Sequence, residues 1–179
     1  MASATQSLHE ESIMLGGPEI TNISEKPANE VLRIEYDDGR VASVWERFLE
    51  MTPRYFSFHN TWEPGSLAPR HGHHGDHVVY VLEGEIMVGD VLCAKGSHIY
   101  LQYGDTFGPW VAGQEGAQLL GIIYYGDGRA FFADDDMAHF QQLLADRRAR
   151  MGITPALSGL PAWRPDRHAN PLPGPVRTT

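Results

Sequence analysis

Apolar and polar residues alternate with a period of two along much of this chain. From Arg54 to Trp62, Phe56, Phe58, Asn60 and Trp62 share one parity and Tyr55, Ser57, His59 and Thr61 the other, which predicts a strand with two different faces. Upstream, Glu30–Tyr36 and Arg40–Trp45 flank Asp37-Asp38-Gly39 and predict a hairpin turned by Asp-Gly, with Arg47–Thr52 continuing as strand or loop. Further strands are predicted at His77–Leu82, Glu85–Val88, Val91–Cys93, His98–Gln102 and Ala117–Tyr125, separated by glycine-containing turns. Several short strands at this spacing predict an all-β sandwich or barrel.

After Gly128 the period changes. Asp134-Asp135-Asp136 offers N-caps and negative charge at a helix start, and Met137, Phe140, Leu143 and Leu144 then recur at helical spacing. Arg147, Arg148 and Arg150 are read as closing this helix and Gly152 as ending it, with its apolar stripe packed on the barrel or on a second subunit. The expected organisation is an N-terminal arm (1–29), a β-barrel (30–128), a helix (129–152) and an extended Pro-rich tail (153–179).

Composition narrows the function classes. A net charge of −9 and a pI near 5.4 exclude a basic nucleic-acid-binding face. There is no run of 18 or more apolar residues, and Met1–Gly17 lacks a basic stretch followed by an apolar one, so no membrane segment is expected and a cytoplasmic location is. Cys93 is the single cysteine and reads as a small buried residue.

The chemistry concentrates in Arg70-His71-Gly72-His73-His74-Gly75-Asp76-His77. His71 and His73, two apart on a strand, point to one face. On a straight strand His77 would lie roughly 20 Å from His71 at about 3.3 Å per residue, so the chain must turn between them. Gly72 and Gly75, by permitting positive φ, and Asp76, by bonding its own backbone, are the residues expected to allow that turn. Three neutral imidazoles would hold one divalent metal ion and leave positions open for substrate.

These residues resemble the first sequence motif of the cupin superfamily, with Gly65, His71, His73, His77 and Gly84 at the family's intervals and His77 where Glu is usual. Gly96, Gln102, Gly104 and Phe107 align with the second motif, in which Gln102 replaces Pro and Phe107 replaces the last ligand. The resemblance implies an RmlC-like jelly-roll β-barrel with an added C-terminal helix. It also implies a three-histidine site like that of cupin-type dioxygenases, and often a homodimer. Phe107 cannot bind a metal, which leaves a three-ligand site or a replacement from elsewhere.

Parity supplies further candidates. His98, Tyr100 and Gln102 share one face of their strand, opposite Ile99 and Leu101, and would be acid–base groups or the missing ligand if that face is inward. His59 is a similar candidate. Phe56, Phe58, Phe107 and Trp110 are candidates for an apolar substrate wall, and Glu83 and Glu85 for orienting an imidazole.

The expected function is a mononuclear non-haem dioxygenase that cleaves a C–C bond in a small enolisable or phenolic ketone, diketone or aromatic compound. Fe(II) is the expected ion, with Zn, Ni, Mn or Cu as alternatives, and the expected partners are a small molecule and O₂. Three neutral ligands leave the ion's charge unquenched, which suits an enolate or phenolate oxygen. The rival readings are an oxygen-independent Zn, Ni or Mn lyase, isomerase or hydrolase, and a metal- or ligand-binding barrel without activity.

Overall fold

The computed structural model describes residues 18–124, 130–132 and 134–152. The tail at 153–179, the first 17 residues of the arm and Tyr125 lie outside the described residues. Among the described residues there are eleven strands: β1 (Asn29–Tyr36), β2 (Val41–Met51), β3 (Tyr55–Trp62), β4 (Leu67–Ala68), β5 (Gly72–His73), β6 (Asp76–Val88), β7 (Val91–Ala94), β8 (His98–Leu101), β9 (Trp110–Tyr124), β10 (Ala130–Phe131) and β11 (Ala149–Gly152). One helix, α1 (Asp134–Asp146), lies between the last two strands. No helix of the described residues is long and apolar enough to cross a membrane.

The β1–β2 hairpin turns at Asp-Gly as expected, with Gly39 at φ 87° and its N–H donating to Tyr36 O at 3.0 Å. The main sheet runs β11-β1-β2-β3-β9-β6-β7, with β4 on β9 and β8 on β6. Every pairing in it is antiparallel.

Cross-strand partners face the same way, so register sorts the inner face into rows. One row is Phe48, Phe58, Gly121, Val79 and Ile99; a second is Phe56, Ile123, His77 and Leu101; a third is Glu46, Asn60, Leu119 and Val81. Val44, Trp62, Val81, Ile86, Phe107, Trp110 and Leu119 fill the main core.

Three expectations change. The two strands read at His77–Leu82 and Glu85–Val88 are one strand, β6, because the break expected at Glu83-Gly84 is absorbed by two register shifts in its ladder with β9. Gly84 has φ 70°, and a Cβ there would stand 2.1 Å from Gly116 O, so only glycine lets the two bent strands pass. Strand β9 begins at Trp110, seven residues before the predicted start at Ala117: its polar stretch Gly113–Gly116 looked like a turn, while Trp110, Val111 and Ala112 pair with Val88, Met87 and Ile86.

Third, α1 ends at Asp146, short of Gly152. Arg148 turns the chain at φ 51°, and Ala149–Gly152 then pairs with β1, where Arg150 meets Glu35 at 2.7 Å. The arginine run read as a helix end therefore serves a turn and a strand. The helix itself packs on its own barrel: Phe140 and Leu144, 1% and 2% exposed, join Ile34 and Leu67 in a second apolar cluster.

Phe140→Ala removes the largest side chain of that cluster and should lower stability by about 3–5 kcal/mol. Urea denaturation checks this, and an unchanged midpoint would show that the helix is not structurally coupled to the barrel.

Candidate functional site

The three histidines arrive on three different pieces of chain. His71 forms an isolated antiparallel bridge with Phe107, its N–H donating to Phe107 O at 3.0 Å and its carbonyl accepting from Phe107 N at 2.9 Å. His73 lies on β5 opposite Ala130 of β10. His77 lies on β6, between Ile123 of β9 and Leu101 of β8. The turn expected between the histidines is present, for a different reason.

Neither Gly72 nor Gly75 uses positive φ. Space is what they provide: a Cβ on Gly72 would stand 2.1 Å from Asp105 O and 2.4 Å from the Phe131 ring, and one on Gly75 would stand 2.1 Å from Tyr124 O. Asp76 does not cap its own backbone, since its carboxylate accepts the Tyr103 N–H at 2.9 Å. Arg70 ties the loop to the helix start, with Nε donating to Thr106 Oγ1 at 2.9 Å and lying 3.7 Å from Asp136.

The imidazoles form a chain of contacts. Ring centroids are 5.1 Å apart for His71 and His73 and 4.7 Å for His73 and His77, with interplanar angles of 79° and 81°. Two imidazoles sharing an ion at about 2.0–2.1 Å would have centroids roughly 4.5–5.3 Å apart, so both spacings suit a shared ion. As the side chains stand, no group of three or more His, Cys, Asp or Glu among the described residues has donors placed to hold one. Coordination therefore requires side-chain rotation within the cluster.

The nitrogens support such a role chemically. His71 Nδ1 lies 2.8 Å from Pro69 O, and because a carbonyl only accepts, that nitrogen carries the proton and leaves Nε2 with a lone pair. His77 is 4% exposed and, among the described residues, neither ring nitrogen has a hydrogen-bond partner. Burial holds His77 well below the usual imidazole range, reinforced by His73 and then His71. Burial likewise lowers His71, against the Pro69 hydrogen bond. Burial and the neighbouring imidazoles thus favour neutral imidazole, the form that binds metal, with the Pro69 hydrogen bond opposing this on His71 alone.

Phe107, aligned in sequence with the last ligand of the second motif, packs against all three rings. Its ring lies 5.1, 6.5 and 5.3 Å from those of His71, His73 and His77. Trp110 packs against Phe107 at 4.8 Å, and on the other side Phe58 reaches His77 at 5.8 Å and stacks on Phe56 at 4.9 Å. The aromatic candidates thus gather around the histidines. Phe58 gets there by lying over Gly121, where a Cβ would stand 2.1 Å from its ring. Phe132, 49% exposed, adds an aromatic ring 6.0 Å from His71 that the sequence reading missed; it stands outside any clear period.

Other candidates fall elsewhere. His98, Tyr100 and Gln102 are exposed, and their neighbours Ile99 and Leu101 are the residues that pair with Val79 and His77 on the inner face. The polar trio therefore faces solvent, on the opposite side of the sheet from His77, and is corrected from candidate acid–base group to outer surface. His59 also lies on the face opposite Phe58, although it is buried, and burial lowers its pKa. Glu83 is exposed and paired with Lys95 at 2.6 Å, away from any imidazole, and Glu85 packs at Gly113. Cys93 is buried and its thiol pushed up by burial, as a packing residue would be.

Glu46 was not anticipated. It shares the inner face with Val44 and Phe48, and Asn60 Nδ2 donates to its carboxylate at 2.9 Å. Among the described residues it has no ion-pair partner, and desolvation pushes its carboxyl up to about 7 against the lowering effect of Asn60. The signal was in the sequence: Ala42, Val44, Glu46 and Phe48 share one parity, and only Glu46 is charged.

In sequence, no family model and no curated protein matches the chain. In structure it resembles the polyketide cyclase RemF from Streptomyces resistomycificus, at TM-score 0.54 and 22% identity over 69% of this chain and 93% of that one. It also resembles a presumed acetylacetone dioxygenase from Methylibium petroleiphilum PM1, at TM-score 0.53 and 11% identity over 66% and 83%. An RmlC-like protein from Ralstonia eutropha JMP134 gives TM-score 0.50 and 16% identity over 73% and 88%. What they share with this chain is the fold.

The raised Glu46 carboxyl has a thermodynamic consequence. Between its ordinary 4.5 and about 7 the folded protein holds a proton that the unfolded chain releases. Its contribution is therefore full below pH 4.5 and lost as pH rises through about 7. Wild type should lose up to about 3 kcal/mol over that window relative to Glu46→Gln, as roughly 1.4 kcal/mol per pKa unit requires. Parallel pH-stability curves for the two proteins, measured in chelator, would refute this.

Proposed function

We propose that this chain, whose fold is the cupin jelly roll, holds one divalent metal ion through His71, His73 and His77. We read it as a mononuclear dioxygenase for a small enolisable or phenolic ketone, diketone or aromatic compound. The observation that carries the reading is His77: a buried imidazole with two unpartnered nitrogens, in ring contact with His73. An unsatisfied buried polar atom costs about 1–3 kcal/mol, so a buried ring left unpartnered beside another imidazole is suited to a cation.

An ion held there, Fe(II) in this reading, supplies Lewis acidity and one-electron chemistry toward O₂. The protein's own groups do the rest. The Pro69 carbonyl holds the His71 proton on Nδ1 and so keeps Nε2 as the ligating atom. Phe107, Phe58 and Trp110 keep water from the inner side and present flat apolar surface. With Phe107 packed against the three rings, no carboxylate or further imidazole among the described residues would compete there with an anionic substrate oxygen.

The likeness to RemF favours a second reading, in which the same site acts without O₂ as a Lewis acid on a polyketide-like enol. Elemental analysis of protein purified without chelator, followed by oxygen-uptake assays on acetylacetone and hydroxyaryl ketones, separates the two. Near-stoichiometric iron with oxygen consumption supports the dioxygenase. Zinc, nickel or manganese without oxygen consumption supports the second reading, and a fold that retains no metal when supplied with it removes both.

His71→Ala, His73→Ala and His77→Ala should each lose most of the bound metal. Phe107→His should do the opposite and retain metal against a competing chelator at least about tenfold more tightly, equivalent to 1.4 kcal/mol. Full occupancy in the alanine variants would exclude these ligands.

A further inference from the structure

We propose that Glu46, held by Asn60, is a second polar contact of the substrate: it exchanges a proton with an oxygen function at the end of the ligand remote from the histidines. This rests on the metal-site reading above and deepens it by naming the substrate class, a flat aromatic compound oxygenated at both ends.

Register places Glu46 on the inner face two rows from His77. At about 3.3 Å per residue the two rows are roughly 13 Å apart along the strands. The row between contains Phe58, whose ring contacts His77, and Phe48, which lies 6.0 Å from Phe56. The two ends of this aromatic stretch are thus polar: imidazoles at one, a carboxyl and an amide at the other. A short diketone would touch only the first. A fused-ring ketone or diketone with a distal phenol would span both.

A carboxyl is an expensive occupant of that wall. The groups in its row are Asn29 on β1, Asn60 on β3, Leu119 on β9 and Val81 on β6, none of them charged. The adjacent Arg47 and His59 lie on the opposite face, by alternation along β2 and β3. Glu46 is partly buried, and among the described residues its carboxylate has one hydrogen bond and no cation, a placement that fold stability alone does not favour. Such groups cluster at functional sites. In the exchange, the phenol O–H bond breaks, the proton forms an O–H bond on the Glu46 carboxylate, and the electron pair stays on the phenolate oxygen. The reverse step returns it.

The test uses full-length metal-loaded protein and two probes. Acetylacetone is too short to reach Glu46, and 1-(6-hydroxynaphthalen-2-yl)butane-1,3-dione carries a diketone at one end and a phenol at the other. Glu46→Gln should weaken the naphthyl probe by about tenfold or more, the scale of a hydrogen bond to a charged group, and remove the break in its affinity near pH 7. Acetylacetone binding and metal content should not change. Equal losses for both probes, or no loss for either, would overturn the proposal.

If the naphthyl probe alone binds and depends on Glu46, the proposal stands and the small-diketone reading falls. If neither probe binds wild type, that reading also falls and infrared titration decides Glu46 by itself. A neutral-carboxyl band that exchanges in D₂O, fades near pH 7, moves to higher pH in Asn60→Ala and is missing from Glu46→Gln supports the proton site. A band that survives in Glu46→Gln, or a carboxylate ionised throughout, overturns it.

Discussion

Strand β9 is hydrogen-bonded along both edges, to β3 through Ala117–Tyr124 and to β6 from Trp110 to Tyr124, and the register of these two ladders decides which side chains look into the barrel. Because side chains alternate, a slip of one residue in either ladder would turn a whole inner row outward. His77 is inward because Ile123 is, and Ile123 is inward because it shares a row with Phe56. The two register shifts in β6 keep this alignment while the strand bends, and Gly84 makes the bend sterically possible.

The histidine loop is built on that frame under tight spatial limits. Gly72 and Gly75 lie so close to Asp105 and Tyr124 that any side chain would push the loop off the barrel. From the outside, the two-residue pairing of β5 with β10 places Phe131 over Gly72 and brings Phe132 beside His71. Phe131 and Phe132 thus flank the histidine loop, and Asp136 of α1 faces Arg70. Barrel, loop and helix start converge on the same few residues.

The interior carries two departures from an ordinary apolar core, and they differ in kind. Burial holds His71 and His77 toward the neutral imidazole, and His77 is lowered further by His73 and His71, a state that disfavours protons and suits a cation. Glu46 is held toward its neutral acid by the same lack of solvent, moderated by a single amide. Desolvation thus raises an acid and lowers bases on one continuous surface, the separation that acid–base chemistry near neutral pH needs. Between them stands an aromatic layer with no polar group of its own.

Much of this was legible in the sequence. Alternation located the strands, the Asp-Gly turn located the first hairpin, and the spacing of His71, His73 and His77 marked three rings that the fold brings together, because each depends on neighbours close along the chain. The tertiary structure alone decided which face of each strand is inner. Parity groups His98, Tyr100 and Gln102 together but is symmetric between inside and outside, and only pairing with His77 and Val79 resolves it. It also decided that Arg147–Arg150 turn the chain into a strand on β1, that the Phe107 ring packs against all three imidazoles, and that Glu46 lies on the inner face. Those facts depend on contacts between residues tens of positions apart, which no local pattern encodes.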